Sequence, residues 1–274
     1  MKDFPLSCLG AIIGDINGSI YEFNNIKTKD FELFQPSMHI TDDSVMTLAV
    51  MKTFNDTYDE DTNIYDLDWQ KHFKQSLIKN FVSFAKQYPN AGYGGMFRMW
   101  LSGYNNYQPY GSYGNGAAMR ISPVGWIAKN KNEVKLLSRL VTEVTHNHPE
   151  GIKGAEATAM AIYLAKNGAT KEQIKEEIKK NYYPQLGSFR YEELVKSYYF
   201  NETCQQSVPQ AIYCFLISRN FEDCIRTTIS IGGDCDTTAS VSCGIAEAYF
   251  GVDDHNKKIV EKILKRYFKK MQDV

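Results

Sequence analysis

The sequence lacks an excess of charge of either sign. Its 274 residues include 31 lysines and arginines against 32 aspartates and glutamates, for a net charge of −1. Proteins that bind nucleic acid through its phosphates present a basic surface, so this balance argues against a nucleic-acid partner. It also gives no sign of an acidic solvating tail. Hydrophobic residues at 43% and charged residues at 23% are ordinary for a globular protein.

Long hydrophobic runs and paired cysteines are missing as well. No uncharged apolar stretch reaches about 18 residues, so no membrane span is predicted. The N-terminus does not resemble a secretory signal, because Asp3, Asp15 and Asn17 interrupt its basic and apolar parts. None of the six cysteines forms a C-x-x-C pair, and several lie in apolar helical patterns typical of buried free thiols. We therefore expect a reduced, cytoplasmic protein with no membrane partner.

Strand-like alternation, internal repeats and Pro/Ser/Gly linkers are also absent. At about 150 residues per domain, the length alone leaves one or two domains open. Helical periodicity recurs throughout, and glycines at 10, 14 and 18 would let a neighbouring helix approach closely. Asn132 is predicted to cap one helix, and Thr170 with Gln173 forms a capping box before another. We predict an all-α fold of ten or more helices, with helices over residues 6–23, 44–54, 69–88, 133–145, 150–165, 171–182, 234–249 and 256–271.

The motif Thr41-Asp42-Asp43-Ser44 begins one of these helices. Thr and Asp are ordinary capping residues beside the positive end of the helix dipole, so capping alone would explain the motif. Two adjacent carboxylates repel each other, however, and only one of them can point into the cap geometry. From these residues alone, both a cap and a functional acidic pair stay open.

A second acidic pair, Asp234 and Asp236, follows two glycines in the motif GGDCDTT. On one continuous helix these two side chains would point roughly 200° apart. They converge with Thr237 only if the Gly-Gly turn holds Asp234 outside the helix, a path that glycine permits. Cys235 then faces elsewhere, and we interpret it as a buried thiol rather than a metal ligand.

A third acidic element lies near the N-terminus. Asp15, Ser19 and Glu22 share one face if the first helix runs to residue 23. A solvated face is the usual explanation of such a stripe. Because the rest of this helix is apolar and rich in glycine, we expect the stripe to face an internal cavity.

Five carboxylates and two threonine hydroxyls in these segments form a set of hard oxygen ligands, with no His or Cys in a ligand position. That set suits Mg²⁺ or Mn²⁺ and argues against zinc. Two divalent ions would leave one negative charge, whereas one ion would leave three in a confined site. The three segments must then meet at one site, which favours a single domain over residues 1–274. The set comprises Glu22, Thr41, Asp42, Asp43, Asp234, Asp236 and Thr237.

A Gly-, Asn- and Tyr-rich stretch at 103–116 separates two helical regions. Its motif GSYGNG at 111–116 offers backbone N–H groups in front of a helix that starts near Ala117, an arrangement that binds phosphate. A plain turn is as common an explanation of such a loop. Arg120 would anchor the loop or a phosphate, or it would form a structural salt bridge.

His146 and His148 form a His-x-His pair. Without a third ligand nearby, a metal pair has little support, and a hydrogen-bonded loop histidine is the simpler interpretation. Glu150 is interpreted as the first-turn acid of the helix that follows.

Five motifs follow one another between Gly10 and Gly251, namely GAIIGDINGSIYEF, TDDS, GSYGNGAAMRISPVG, THNHPEGIKGAEA and GGDCDTTASVSCGIAEAYFG. In this order they resemble the ADP-ribosylglycohydrolase family, which includes the ADP-ribosylarginine hydrolases and the dinitrogenase-reductase-activating glycohydrolases. The resemblance covers almost the whole chain. It implies a compact, orthogonal multi-helix fold around a binuclear Mg²⁺ or Mn²⁺ centre that cleaves the bond joining ADP-ribose to an acceptor.

The resemblance also implies roles for individual residues. Glu22 matches an acidic residue beside the metals, and His146 matches a histidine that contacts the ligand. Ser44 stands where the family often has Thr, and it keeps the hydroxyl. The implied metal ligands are Thr41, Asp42, Asp43, Asp234, Asp236 and Thr237, and the implied diphosphate loop is Gly111, Ser112, Tyr113, Gly114, Asn115 and Gly116.

The expected activity is hydrolysis that releases ADP-ribose. Glu22 and Asp43 are the candidate catalytic carboxylates, because an oxocarbenium-like transition state needs nearby negative charge and an activated water. Arginine on a protein is the preferred acceptor, while serine, a nucleobase or a small molecule stay open, as does a non-catalytic ADP-ribose-binding protein. We expect a monomer whose partner is ADP-ribose or an ADP-ribosylated substrate. One aromatic residue near the loops would stack on adenine, the candidates being Tyr93, Phe97, Tyr107 and Tyr113.

Overall fold

The computed structural model describes residues 8–268, with side chains described to residue 265. Fourteen α-helices and two short 3-10 turns form the regular structure of that range, and no β-strand occurs in it. The all-α prediction is confirmed. The helices are α1 (Leu9–Gly18), α2 (Asp42–Thr57), α3 (Leu67–Gln87), α4 (Gly95–Leu101), α5 (Gly116–Met119), α6 (Ser122–Ile127), α7 (Lys131–Thr142), α8 (Pro149–Lys166), α9 (Lys171–Asn181), α10 (Tyr191–Ser197), α11 (Cys204–Ile217), α12 (Phe221–Ser230), α13 (Cys235–Phe250) and α14 (Asp254–Phe268).

Side-chain caps set several helix boundaries. Thr170 and Gln173 form the predicted capping box before α9. Helix α7 begins at Lys131 rather than at the predicted residue 133. The reason is that Asn130, not Asn132, accepts hydrogen bonds from the first-turn amides.

Helix α1 is shorter than the predicted helix over residues 6–23. It ends at Gly18, where the N–H of Tyr21 turns back to the Gly18 carbonyl at 2.8 Å. The Asn25 side chain then donates to the Tyr21 carbonyl at 2.7 Å, which satisfies that carbonyl outside a helical ladder. The chain therefore leaves the helix before residue 22. Residues 6, 7 and 269–271 of the predicted terminal helices lie outside the described residues.

Helix α13 lies at the centre of the fold, packed against α1, α8, α11 and α12. The predicted glycine stripe of α1 faces it. A β-carbon added at Gly14 would lie 2.2 Å from the Ala239 carbonyl oxygen, and one at Gly18 would lie 2.5 Å from the Cys235 carbonyl oxygen. Only glycine permits so close an approach. The contact brings the end of α1 beside the beginning of α13.

The remaining features agree with an apolar helical core. All six cysteines are free and buried. No helix between residues 8 and 268 is long and apolar enough to cross a bilayer. One apolar cluster extends from Cys8 to Val260, which supports the proposal of a single domain.

Gly14→Ala tests the contact between α1 and α13. Alanine favours the helix by about 1 kcal/mol, but its β-carbon would meet backbone rather than a movable side chain, and overpacking of this kind costs about 1–3 kcal/mol or more. We expect a clear fall in the melting temperature. Gly187→Ala is the control, because a β-carbon there meets only the flexible Lys179 side chain at 3.5 Å. Equal melting temperatures for the two variants would contradict the prediction.

Candidate active site

Eleven of the predicted site residues line one cleft of about 210 Å³. The cleft lies where the beginnings of α2 and α13 meet the turn at residue 22 and the loop at 111–116. Thr41, Gly111 and Tyr113 do not line it. The eleven are Glu22, Asp42, Asp43, Ser112, Gly114, Asn115, Gly116, His146, Asp234, Asp236 and Thr237.

The carboxylates gather at one end of the cleft. Single oxygens of Glu22, Asp234 and Asp236 lie within 4.8 Å of one another. Asp43 Oδ2 lies 3.3 Å from Thr237 Oγ1, whereas Asp43 Oδ1 is buried with no hydrogen-bond partner in the described structure. Among the side chains described, residues 8–265, no lysine or arginine forms an ion pair with these acids. Their negative charge is therefore uncompensated by the protein.

Asp15 holds the beginning of α2 in place. Its carboxylate accepts hydrogen bonds from the Thr41 N–H at 2.9 Å and the Thr41 hydroxyl at 2.7 Å. It also accepts from the N–H and the hydroxyl of Ser44. The prediction of an Asp15–Ser19–Glu22 stripe facing a cavity was wrong, because α1 ends before residue 22 and Asp15 is fully buried behind α2. Asp15 acts on the site indirectly, by fixing α2.

The first acidic motif is a cap and an acidic pair at once. Thr41 is the N-cap of α2, and its hydroxyl accepts the Asp43 N–H at 3.3 Å. Because Thr41 occupies the cap, both Asp42 and Asp43 can present their carboxylates to the cleft.

The Gly-Gly turn before α13 has the predicted path. Gly232 and Gly233 have φ values of +74° and +84°, in the left-handed region that favours glycine. Asp234 is the N-cap and stays outside the helix, while Asp236 and Thr237 lie in its first turn. All three side chains reach the cleft for this reason.

Asn25 supports the same turn and was missed from the sequence. Its side chain donates to the Gly233 carbonyl at 2.9 Å and accepts from the Gly233 N–H at 2.7 Å. No local pattern links residues 208 positions apart, so only the fold could reveal this pair. Cys235 is buried and does not line the cleft, as predicted.

Burial, and then repulsion between neighbouring carboxylates, raises the pKa values of the cluster. The pKa of Glu22 rises to about 7 and that of Asp42 to about 8. The pKa values of Asp43 and Asp236 lie well above their usual range for the same two reasons. In the absence of a cation, the folded protein therefore holds protons here that exposed carboxylates would lose.

This donor set fits a hard divalent cation. Every donor is a carboxylate or hydroxyl oxygen, and the unpartnered Asp43 Oδ1 is a ligand atom that no other group uses. The Asn115 amide donates to Asp234 Oδ2 at 2.7 Å and so orients that carboxylate.

The loop at 111–116 is less open than expected. Three of its six amides donate within the protein, and the helix after it, α5, is a single turn that starts at Gly116. A helix of one turn has only a small dipole. The amides of Ser112, Tyr113 and Gly116 donate to no group in the described part of the structure. The amides in use are Gly111 to Asn147 Oδ1 at 2.7 Å, Gly114 to Ser112 Oγ at 3.1 Å and Asn115 to the Glu202 carbonyl at 2.7 Å.

The lining of the cleft also includes a buried cation, Arg120, and a histidine, His146. Arg120 Nη2 donates to Thr145 Oγ1 at 2.5 Å and lies 3.4 Å from His146 Nδ1, and Thr145 Oγ1 lies 2.8 Å from the same Nδ1. The guanidinium packs 4.6 Å from the Phe81 ring centroid and 5.7 Å from that of Phe97. It forms no ion pair with a described carboxylate, so the salt-bridge alternative was wrong.

His148 has a structural role. Its side chain accepts the Glu150 N–H at 3.1 Å and caps α8, while its ring lies 5.2 Å from that of Tyr113. A metal pair with His146 is therefore unsupported. Among the four aromatic residues considered for adenine, Phe97 lines the cleft.

Comparison with known proteins agrees with this geometry. The family model for ADP-ribosylglycohydrolase matches residues 6–273. The chain belongs to the ADP-ribosylglycohydrolase family. As a member of that family it is an enzyme that hydrolyses glycosidic bonds of ADP-ribose.

Individual relatives of this ADP-ribosylglycohydrolase are distant but span most of its length. ADP-ribosylhydrolase ARH3 of Mus musculus is 27% identical over 322 residues, covering 90% of this chain and 83% of the relative. ADP-ribosylarginine hydrolase Tri1 of Pseudomonas putida (strain GB-1) is 24% identical, covering 93% and 72%. A solved structure described as an ADP-ribosylglycohydrolase-related protein complex superposes with a TM-score of 0.69 at 18% identity, covering 96% of both chains. That likeness shows the fold.

The raised pKa values predict how the stability of the metal-free protein depends on pH. Glu22 and Asp42 bind protons more tightly in the folded state than in the unfolded state. Between about pH 5 and 8 the folded state therefore carries more protons, so stability falls as pH rises through this window. In EDTA, the melting temperature should drop by a few degrees across it.

Asp42→Asn should reduce the dependence of the melting temperature on pH in EDTA. The variant removes one titrating carboxylate and its repulsion of the neighbouring carboxylates. Asp61→Asn, at an exposed position, is the control and should keep the slope. A melting temperature that rises from pH 5 to 8 in EDTA would contradict the prediction.

Proposed function

We propose that this ADP-ribosylglycohydrolase cleaves the bond between ADP-ribose and arginine on a protein, with two Mg²⁺ or Mn²⁺ ions as cofactors. The observation that carries the proposal is the convergence of five carboxylates, unpaired with any described cation, at one end of a cleft. The other end offers free amides and a buried arginine. A substrate with a polyhydroxyl end and a diphosphate matches both ends.

Six residues would hold the ions. When bound, a pair of divalent ions polarises oxygens and lowers the pKa of water, which is worth several kcal/mol of transition-state stabilisation. Five carboxylates match two ions better than one, since two ions leave a single net negative charge. The proposed ligands are Thr41, Asp42, Asp43, Asp234, Asp236 and Thr237.

The loop would hold the diphosphate through its Ser112 and Gly116 amides. Arg120 strengthens that end, because burial lowers its pKa only to about 10 and it stays cationic at neutral pH. No described carboxylate forms a direct ion pair with it, although Asp42 acts on it at longer range, so a bound anion would be its direct ionic partner. In this orientation the anomeric carbon lies toward the carboxylates.

Glu22 is the proposed catalytic carboxylate, with Asp43 as the alternative. Glu22 is half-buried, lines the cleft beside the proposed metal ligands and is not itself one of them, so its carboxylate is left to act on a water. It would accept a proton from the attacking water, whose oxygen bonds to the anomeric carbon as the bond to the guanidino nitrogen breaks, and it would then give that proton to the leaving nitrogen. Its negative charge also stabilises the oxocarbenium-like transition state.

The mouth of the cleft favours a cationic, planar acceptor. Glu202 lines it, is exposed, and its carboxylate has no hydrogen bond or ion pair with a described residue. Phe23 is 77% exposed and its ring lies 5.6 Å from that of Phe200, beside Glu22 in sequence. Carboxylates and aromatic faces are the groups that bind a guanidinium. The relative from Pseudomonas putida, an ADP-ribosylarginine hydrolase, supports arginine as well.

Asp234→Asn and Asp43→Asn test the cofactor assignment. Each keeps the side-chain volume and removes one ligand charge, so millimolar Mg²⁺ or Mn²⁺ should raise the melting temperature of the wild type more than that of either variant. Release of ADP-ribose should fall about 10²–10³-fold. Asp61→Asn is the matched control. Unchanged activity of the wild type in EDTA would refute the metal requirement.

Glu202→Gln tests the acceptor. A panel of substrates ADP-ribosylated on arginine, serine, cysteine, aspartate and guanosine would be assayed for ADP-ribose release. We expect arginine to be cleaved best, and Glu202→Gln to lower kcat/KM for arginine about threefold to tenfold with less effect on serine. Glu193→Gln, also exposed, is the control. Preference for another acceptor would refute arginine while keeping the hydrolase, and ADP-ribose binding without any turnover would indicate a binding protein.

A further inference from the structure

The buried Arg120 is arranged unlike an ordinary structural arginine. It is 1% exposed, its charge is met by two aromatic rings, and its Nε atom has no partner in the described structure. Its one strong hydrogen bond runs from Nη2 to Thr145 Oγ1 at 2.5 Å. An arginine only donates, so Thr145 Oγ1 must accept in this bond.

The direction of that bond leaves the hydroxyl hydrogen of Thr145 available for a second partner. Because Thr145 Oγ1 accepts from Arg120, the hydroxyl hydrogen of Thr145 is free to donate to His146 Nδ1, 2.8 Å away. Arg120 Nη2 also faces Nδ1, at 3.4 Å. The second lone pair of Thr145 Oγ1 is able to accept a proton from Nδ1, but that proton would also face the Arg120 guanidinium. A lone pair on Nδ1 accepts from both groups, so we assign the ring proton to Nε2.

The same surroundings keep the ring neutral. Burial, and then the charge of Arg120, hold the pKa of His146 well below its usual range. A neutral ring with an acceptor at Nδ1 has one donor, Nε2–H. No hydrogen bond to a described side chain or backbone group involves Nε2, although His146 is only 6% exposed.

The Nε2 atom faces the loop at 111–116 across the cleft. A β-carbon at Gly116 would lie 3.2 Å from it, and one at Gly114 would lie 3.6 Å away. Glycine at these two positions therefore keeps the space in front of Nε2–H open. That space adjoins the free amides of Ser112 and Gly116.

We propose that Arg120 and Thr145 are positioning residues that lock His146 in its Nε2–H tautomer, so that the ring donates to a diphosphate oxygen of the substrate. The inference rests on the proposed function for the identity of the ligand. The tautomer of His146 is a property of the protein without ligand, and it is measured without an activity assay.

The experiment compares the wild type with Thr145→Val, Thr145→Ser and a matched control, Thr142→Val. Valine at 145 keeps the shape and removes the hydroxyl, and serine restores it. Thr142 is a neighbouring buried threonine whose hydroxyl has no partner in the described structure. Loss of that hydroxyl therefore leaves the hydrogen bonds between Arg120, Thr145 and His146 intact. Nitrogen NMR of the histidine ring in the free protein distinguishes Nδ1–H from Nε2–H. Calorimetry with ADP-ribose in Mg²⁺ gives the dissociation constant.

We expect Nε2–H in the wild type, Thr145→Ser and Thr142→Val, and a mixture of tautomers in Thr145→Val. The affinity of Thr145→Val for ADP-ribose should fall about tenfold, with a matching rise in KM and little change in kcat, since a diphosphate contact is made equally in ground and transition states. Thr145→Ser should recover the affinity.

Two results would overturn the proposal. One is an Nδ1–H or a charged ring in the wild type. The other is an ADP-ribose affinity that Thr145→Val leaves unchanged while the tautomer shifts. If the wild type shows Nε2–H but binds no ADP-ribose, the proposed diphosphate contact of His146 and the proposed function both fail. The positioning of the His146 ring by Arg120 and Thr145 then still holds.

Discussion

The close approach of α1 to α13 is the constraint on which the site depends. The glycines of α1 let its backbone touch that of α13, so Asp15 and the turn at residue 22 lie beside the beginning of α13. Asp15 then fixes α2 through four hydrogen bonds from Thr41 and Ser44. One apolar packing contact therefore positions three polar segments that are far apart in sequence. If α1 and α13 were moved apart by about the width of a methyl group, the segments that carry the carboxylates would be displaced relative to one another.

The cluster that results opposes folding in the absence of cations. Burial of several carboxylates without cationic partners is unfavourable, and protonation at neutral pH is the response seen in the raised pKa values of Glu22 and Asp42. The fold tolerates this because hydrogen bonds rigidly hold the surrounding backbone, as Asn25 does at Gly233. The carboxylates are therefore gathered around one cleft before any positive charge enters, which is a preorganised arrangement.

Features set by residues close together in sequence were predictable, whereas features set by contacts between distant segments were not. The all-α class, the Thr170 capping box and the path of the Gly-Gly turn follow from short-range rules that the structure confirms. The end of α1 did not follow, because the Asn25 side chain competes with the helical ladder from outside it. The predicted face shared by Asp15 and Glu22 failed for the same reason. The role of Arg120 could not be decided from the sequence, because no sequence pattern shows that aromatic rings rather than carboxylates surround an arginine.

The cleft is lined by an acidic cluster and by Arg120, and in the proposed function these groups meet different parts of the substrate. A diphosphate beside the carboxylates would be repelled by them, whereas in the proposed orientation it meets the loop amides, Arg120 and the Nε2–H of His146. Binding is therefore directional even before any contact to adenine or acceptor is considered. In the proposed orientation, with the diphosphate at the loop, the ribose extends toward the acids and the acceptor leaves past Glu22 and Glu202. The charge of that exit, rather than the shape of the ribose site, is then the feature able to discriminate between acceptors.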